Sequence, residues 1–199
     1  MAQTSSFSLL FFLFTISISI ASSLPSSITP NKQGNKDEQQ NDLVSSSCIH
    51  ARYPKVCLRT LSSFSTKANT PRDLAKVAVG VSLARANNVS RYLENFKGSN
   101  KKEKDALHDC VEQVGDSVYN LRKTLNELQH LRRDSFEWQM SNAETWVSAA
   151  LTNEDTCLDG FKEIDYWKVK VDVKKKISNI AKVTSNALYL ITLLDQSRH

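Results

Sequence analysis

Four cysteines and four histidines, with scattered carboxylates, are the residues of this 199-residue chain best able to do chemistry. Cys48, Cys57, Cys110 and Cys157 could ligate a metal, supply a nucleophile or pair as disulfides. His50, His108, His130 and His199 show no His-x3-His spacing with nearby carboxylates, so a metal centre is not expected. His108-Asp109-Cys110 invites a thiol-nucleophile reading, but neighbouring helical residues point about 100° apart and a half-cystine cannot attack. Glu154 and Asp155 are adjacent on a helix and do not face one another across a substrate. The sequence also lacks a Gly-rich phosphate loop, a Gly-x-Ser-x-Gly turn and a Cys-x2-Cys pair. The expectation is a protein that is not an enzyme and takes no cofactor.

The elements that would position these residues begin after a distinct leader. Residues 1–23 hold no Lys, Arg, Asp or Glu, and Phe7 to Ala21 is an apolar run closed by Ser22-Ser23. Its ~15 apolar residues fall short of the ~20 that span a bilayer, so it reads as a signal peptide cleaved near Ser23 and leaves no membrane segment behind. Residues 24–44, with Pro25, Pro30, Gly34 and the run Asn35 to Asp42, are expected to be a flexible polar tail. A domain over 45–196 follows, made of a hairpin at 45–64 and a bundle at 70–196. In the oxidising compartment that a signal peptide implies, four cysteines favour two disulfides.

From Arg72 onward there is no proline, and glycine stands only at 80, 98, 115 and 160. Helical periods are plain there. Thr70-Pro71-Arg72-Asp73 opens one helix, with a stripe at Leu74, Val77, Val81, Ala84, Val89, Tyr92 and Phe96. Leu107, Val111, Val114, Val118, Leu121, Leu125 and Leu128 alternate steps of four and three in a second. Ser141-x-x-Glu144 is expected to open a third, with Trp146, Val147, Ala150 and Leu151 on one side. Trp146 is expected to pack in the core. Val173, Ile177, Ile180, Thr184, Ala187, Ile191 and Leu194 mark a fourth. The fold class is all-α, an antiparallel up-down-up-down four-helix bundle preceded by a disulfide-stapled N-terminal helical hairpin.

Cys110 and Cys157 are equidistant from the polar connection Arg132-Arg133-Asp134-Ser135, hence level on an antiparallel pair. A bridge between them is geometrically easy and leaves Cys48 to pair with Cys57 around Pro54, which ends one helix and can begin another.

At these residues the chain resembles the plant invertase and pectin methylesterase inhibitor family. The resemblance lies in Cys48-x8-Cys57 with Tyr53-Pro54 inside, in Asp109-Cys110-Val111-Glu112 with Asp116, in Thr145 to Phe161, and in Ser185-Asn186-Ala187-Leu188. It implies a secreted, non-catalytic inhibitor in the apoplast or cell wall that binds a carbohydrate-active enzyme one to one and occludes its cleft. Inhibitors of acid invertase carry a Pro-Lys-Phe tripeptide before the third helix. Here that stretch reads Leu131 to Glu137 without it, so pectin methylesterase is the expected partner and acid invertase the alternative. An inhibitor-like pro-region of a longer esterase is a third reading, set aside because no catalytic domain follows. Glu112 and Asp116, turned outward by the second stripe, match acidic positions of the family motif and are expected to touch the enzyme. Thr145, Thr152 and Thr156 are a second contact set, against the plainer reading that mid-helix threonines bond back to the preceding turn.

The net charge is +5. The basic run Lys168 to Lys176 lacks the interleaved aromatics of a base-stacking surface, so nucleic acid is not an expected partner. The charge could instead hold the protein on anionic pectin, and it argues for an acidic or neutral target enzyme. Asn88-Val89-Ser90 is a sequon, so Asn88 is a candidate glycosylation site.

Overall fold

A computed structural model describes residues 43–162, 164 and 167–197. The leader expected at 1–23 and nearly all of the tail expected at 24–44 lie outside the described residues. The tail as drawn is two residues too long, because Leu43 and Val44 are helical and Val44 is 2% exposed in the core.

Among the described residues six helices follow in order: α1 (43–48), α2 (Pro54–Leu61), α3 (Pro71–Glu94), α4 (Lys101–Gln129), α5 (Phe136–Gly160) and α6 (Trp167–Gln196), with a 3-10 turn at Ser62–Lys67. The last four pack in a ring, α3 on α4, α4 on α5, α5 on α6 and α6 on α3. The α3–α6 seam therefore lies on the far side of the bundle from the α4–α5 seam. Both expected disulfides are present. Cys48–Cys57 staples α1 to α2 with Cα atoms 5.6 Å apart, and Cys110–Cys157 joins α4 to α5 at 4.5 Å.

Local chemistry accounts for the helix boundaries. Pro54 starts α2 at its first turn, where a missing N–H leaves nothing unpaired. Thr70 caps α3, its Oγ1 accepting from the Asp73 N–H at 3.1 Å. Asn100 caps α4 in the same way through Glu103 N–H, 3.0 Å, while the Glu103 carboxylate reaches back to Ser99 N–H at 2.7 Å. The far end of α4 is closed from outside, where Arg72 donates to the carbonyls of Leu128 and Gln129, both at 2.9 Å. The hairpin is held to α6 by Asn186. Its side chain accepts from Tyr53 N–H and donates to Tyr53 C=O, each at 3.0 Å, as a neighbouring strand would.

Three expectations about the helices need correction. The α5 helix begins at Phe136 behind Ser135, more than a turn before Ser141, so the Ser141-x-x-Glu144 pattern is interior. Glu144 there accepts from Thr192 Oγ1 on α6 at 2.9 Å. The inward face of α3 is Leu74, Ala75, Ala78, Val79, Ser82, Ala86, Val89 and Leu93, whereas Ala84 is exposed and Val77, Val81, Tyr92 and Phe96 are half-buried. Small side chains let neighbours approach this helix, and a stripe drawn through its larger residues misses them. On α4, Leu107, Val114, Leu121 and Leu128 are buried as expected, but Val111, Val118 and Leu125 are half-buried. Their place at the axis is taken by Glu103, Cys110, Ser117 and Thr124, each no more than 1% exposed. The α6 stripe from Val173 to Leu194 is buried throughout.

Candidate functional site

At 100° per residue, Glu112, Asp116, Tyr119 and Lys123 fall on one narrow stripe of α4 opposite its core face. Glu112, Asp116 and Tyr119 are exposed and Lys123 is half-buried. On α5 the corresponding outward line is Trp138, Thr145, Thr152 and Thr156, all exposed. The two lines flank the α4–α5 seam. Toward one end, Glu112, Gln113 and Asp109 share with Thr156 and Asp159 a cleft of about 430 Å³ that is floored by Cys110 and Cys157. Glu112 and Thr156 are thus brought into one concavity. Asp116 lies a turn further along α4, and Thr145 stands on α5 beyond the cleft.

Two of the three threonines show the plainer reading. Thr152 Oγ1 donates to Ser148 C=O at 3.0 Å and Thr156 Oγ1 to Thr152 C=O at 2.8 Å, the plain helical back-bond. Each hydroxyl oxygen keeps a lone pair for a donor from outside. Trp146 is half-buried rather than part of the core, with Lys123 Nζ 3.9 Å above its ring and 5.4 Å from that of Tyr119. This fixes a cation between two aromatic faces on the same surface. Tyr119, 58% exposed, and Trp138, 66% exposed, complete the face. Neither was singled out from sequence. Tyr119 follows Asp116 by three residues and could have been read from the stripe. Trp138 was lost because the helix that presents it was expected to start later.

The seam beneath this face is rigidly built. Gln139, 6% exposed, donates through Nε2 to Glu127 Oε2 at 2.9 Å and to His130 C=O at 3.0 Å, and its Oε1 accepts from Arg132 N–H at 2.9 Å. These bonds lock the α4–α5 turn. Deeper in, Glu154 is fully buried, and its Oε1 accepts from Ser117 Oγ on α4 at 2.7 Å and Thr184 Oγ1 on α6 at 3.0 Å. Its Oε2 has no partner among the described residues. Burial pushes the carboxyl up to about 7 against the pull of the two hydroxyls, with Asp155 adding to the rise.

The elements of a catalytic site do not assemble on this face. Cys110 is bonded to Cys157 and offers no thiolate. His50, His108 and His130 are exposed and apart in the chain, His199 lies outside the described residues, and no group of metal-competent side chains occurs among those described. The arrangement is a braced outward face of carboxylates, hydroxyls and aromatics.

Comparison with known proteins places this architecture. The sequence pattern of the plant invertase/pectin methylesterase inhibitor family matches residues 42–190. Pectinesterase inhibitor 3 of Arabidopsis thaliana is 50% identical over 166 residues, covering 79% of this chain and 81% of its own. Pectinesterase inhibitor 9 of the same plant is 39% identical over 95% of both chains. The crystal structure of a mutant form of a pectin methylesterase inhibitor from Arabidopsis superposes with a TM-score of 0.64 at 24% identity, over 75% of this chain and 95% of that one.

Proposed function

From the premise that this chain belongs to the plant invertase/pectin methylesterase inhibitor family, we propose that it inhibits pectin methylesterase by protein–protein docking and is not itself an enzyme. The observation that carries the choice of target is the likeness to relatives named pectinesterase inhibitors, at up to 50% identity. The missing Pro-Lys-Phe tripeptide between Leu131 and Glu137 points the same way, so acid invertase is not favoured.

The docking surface in this reading is the outward α4–α5 face. Glu112 and Asp116 offer carboxylates, Thr145, Thr152 and Thr156 offer hydroxyls, and Tyr119, Trp138 and Trp146 offer the aromatic area in which interface energy usually concentrates. A stable one-to-one complex buries roughly 1,200–2,000 Å². A face braced by Cys110–Cys157 and the Gln139 bonds loses little conformational freedom on docking, so more of the contact energy survives as affinity. Inhibition is steric: the bundle stands where the polysaccharide must lie. The leader expected at 1–23 supports action outside the cell, in the wall where pectin is found. Asn88 is exposed on α3, away from the α4–α5 seam, so a glycan there is compatible with docking; a mass shift abolished by Asn88→Gln would establish it.

The test is a paired titration with the oxidised protein purified from a secreting host. Added to a plant pectin methylesterase followed by methanol release, it is expected to remove activity at near-equimolar ratio. A parallel acid invertase followed by glucose release should be untouched. Loss of invertase activity alone would reverse the assignment, and silence in both assays would reject inhibition of either enzyme.

A further inference from the structure

On the far side of the bundle, α3 and α6 leave a groove of about 420 Å³ lined by Arg85, Asn88, Asp172, Lys175, Lys176 and Asn179. Arg85 is half-buried in it, and both of its hydrogen-bond partners are neutral oxygens, Asn179 Oδ1 at 2.7 Å and Thr60 Oγ1 at 3.4 Å. Burial, and after it the nearby Arg59, lower the Arg85 pKa. Cations continue along the seam. Lys182 and Arg52 lie 5.7 and 5.8 Å from the Tyr53 ring at the hairpin, and Lys175 to Lys182 spans about 10 Å of α6. Among the described residues that line the groove, Asp172 is the one carboxylate.

We infer that this α3–α6 groove, extended by Arg59 and Lys182, binds a linear polycarboxylate, the de-esterified galacturonate chain that a pectin methylesterase leaves behind. The identity of the ligand rests on the proposed function. Hydrolysis of each methyl ester releases methanol and a proton and leaves a carboxylate on the sugar, so the target enzyme's product carries regularly spaced negative charge. Beyond their bonds to Asn179 and Thr60, Arg85 Nη1 and Nη2 each keep a second N–H for a carboxylate, and Lys175 and Lys176 are point charges for neighbouring ones. Asn88 and Asn179 supply amides for sugar hydroxyls. Because this seam opposes the α4–α5 face, one molecule can hold product and enzyme together. A glycan at Asn88 would stand on the rim of the groove and compete with the polymer.

The experiment measures binding of a de-esterified galacturonate oligomer by calorimetry to the protein purified from a secreting host, with Asn88→Gln removing any glycan. The K175E/K176E double variant changes exposed side chains and should keep the fold, whereas Arg85→Gln tests the buried fork. The expected result is binding that weakens as salt rises, drops at least tenfold in K175E/K176E, and is absent for the fully methyl-esterified oligomer, while esterase inhibition by the double variant is unchanged. Equal binding by the double variant, equal binding of the esterified oligomer, or equally tight binding of DNA or anionic vesicles would overturn the inference. Inhibition without oligomer binding refutes the groove alone. Oligomer binding without inhibition refutes the proposed function alone.

Discussion

Ser117 on α4 donates to Glu154 on α5 across 2.7 Å in a place where neither side chain reaches solvent. Thr184 makes the same approach from α6, so one carboxyl joins three helices. Raised in the fold from the usual 4.5 to about 7, Glu154 binds its proton more tightly in the native state than in the unfolded chain. Between those values the Glu154 site of the folded protein holds more protons, so its contribution to stability is fully present below about pH 4.5, is lost as pH rises through 7 and is level above. The difference is on the order of 3 kcal/mol. Urea unfolding at pH 4.5, 6 and 7.5 should show this loss, and Glu154→Gln, which keeps an acceptor for Ser117 and Thr184, should flatten it. An unchanged slope in the variant would assign the pH dependence to other groups.

Glu103 carries the opposite sign. Hydrogen bonds from the Ser99 side chain and backbone lower its pKa, with Asn100 adding to the effect, so its contribution is present above the ordinary carboxylate range and lost as acid protonates it. Gly98 sits against this cap. A Cβ there would stand 2.7 Å from Lys104 N and 2.9 Å from Glu103 C, backbone atoms that cannot step aside. Gly98→Ala is therefore expected to destabilise by about 1–3 kcal/mol, the scale of an overpacked site. A midpoint of urea unfolding equal to wild type would show that the loop before α4 yields freely.

Removing the Cys110–Cys157 bridge tests how far the seam depends on its covalent brace. The paired Cys→Ser variant should lose about 4 kcal/mol, the loop-entropy value for residues 47 apart in sequence. Its inhibition at low temperature should survive more weakly, because the Gln139 network still sets the turn. If unfolding midpoints coincide with wild type under oxidising conditions, the bridge is structurally redundant.

Glu112 and Asp116 are exposed, so replacing both with alanine should leave thermal unfolding within a degree or two of wild type. Their loss is expected to weaken inhibition roughly tenfold, about 1.4 kcal/mol. Trp138→Ala, removing a large exposed apolar surface, should cost at least as much. An inhibition constant unmoved by all three changes would place the docking face elsewhere on the bundle.

Sequence periodicity was a good guide where the core is aliphatic. The α6 stripe and the Leu107, Val114, Leu121 and Leu128 row could be read directly, and the cysteine spacing gave both bridges. It failed where the interior is polar or small. Glu103, Ser117, Thr124 and Glu154 are buried because each finds a hydrogen-bond partner, and no apolar period records that. Ala75, Ala78 and Ala86 are buried because neighbouring helices come close. Ser141-x-x-Glu144 satisfied a capping pattern without being a helix start, while Asn100-x-x-Glu103, the pair that does cap, was passed over. Carboxylates and threonines of the outward face could be placed from the α4 stripe and the family motif. Of its aromatics, Trp138 required the true start of α5.

The clamp between Asn186 and Tyr53 joins residues 133 apart. A chain emerging from the ribosome delivers Tyr53 ahead of Asn186, by 133 residues. Cys48 and Cys57, by contrast, are only 9 apart, and ends of so short a loop meet in about 10–100 ns. The hairpin can therefore be stapled while synthesis continues, whereas its clamp to α6 needs that helix to have been made.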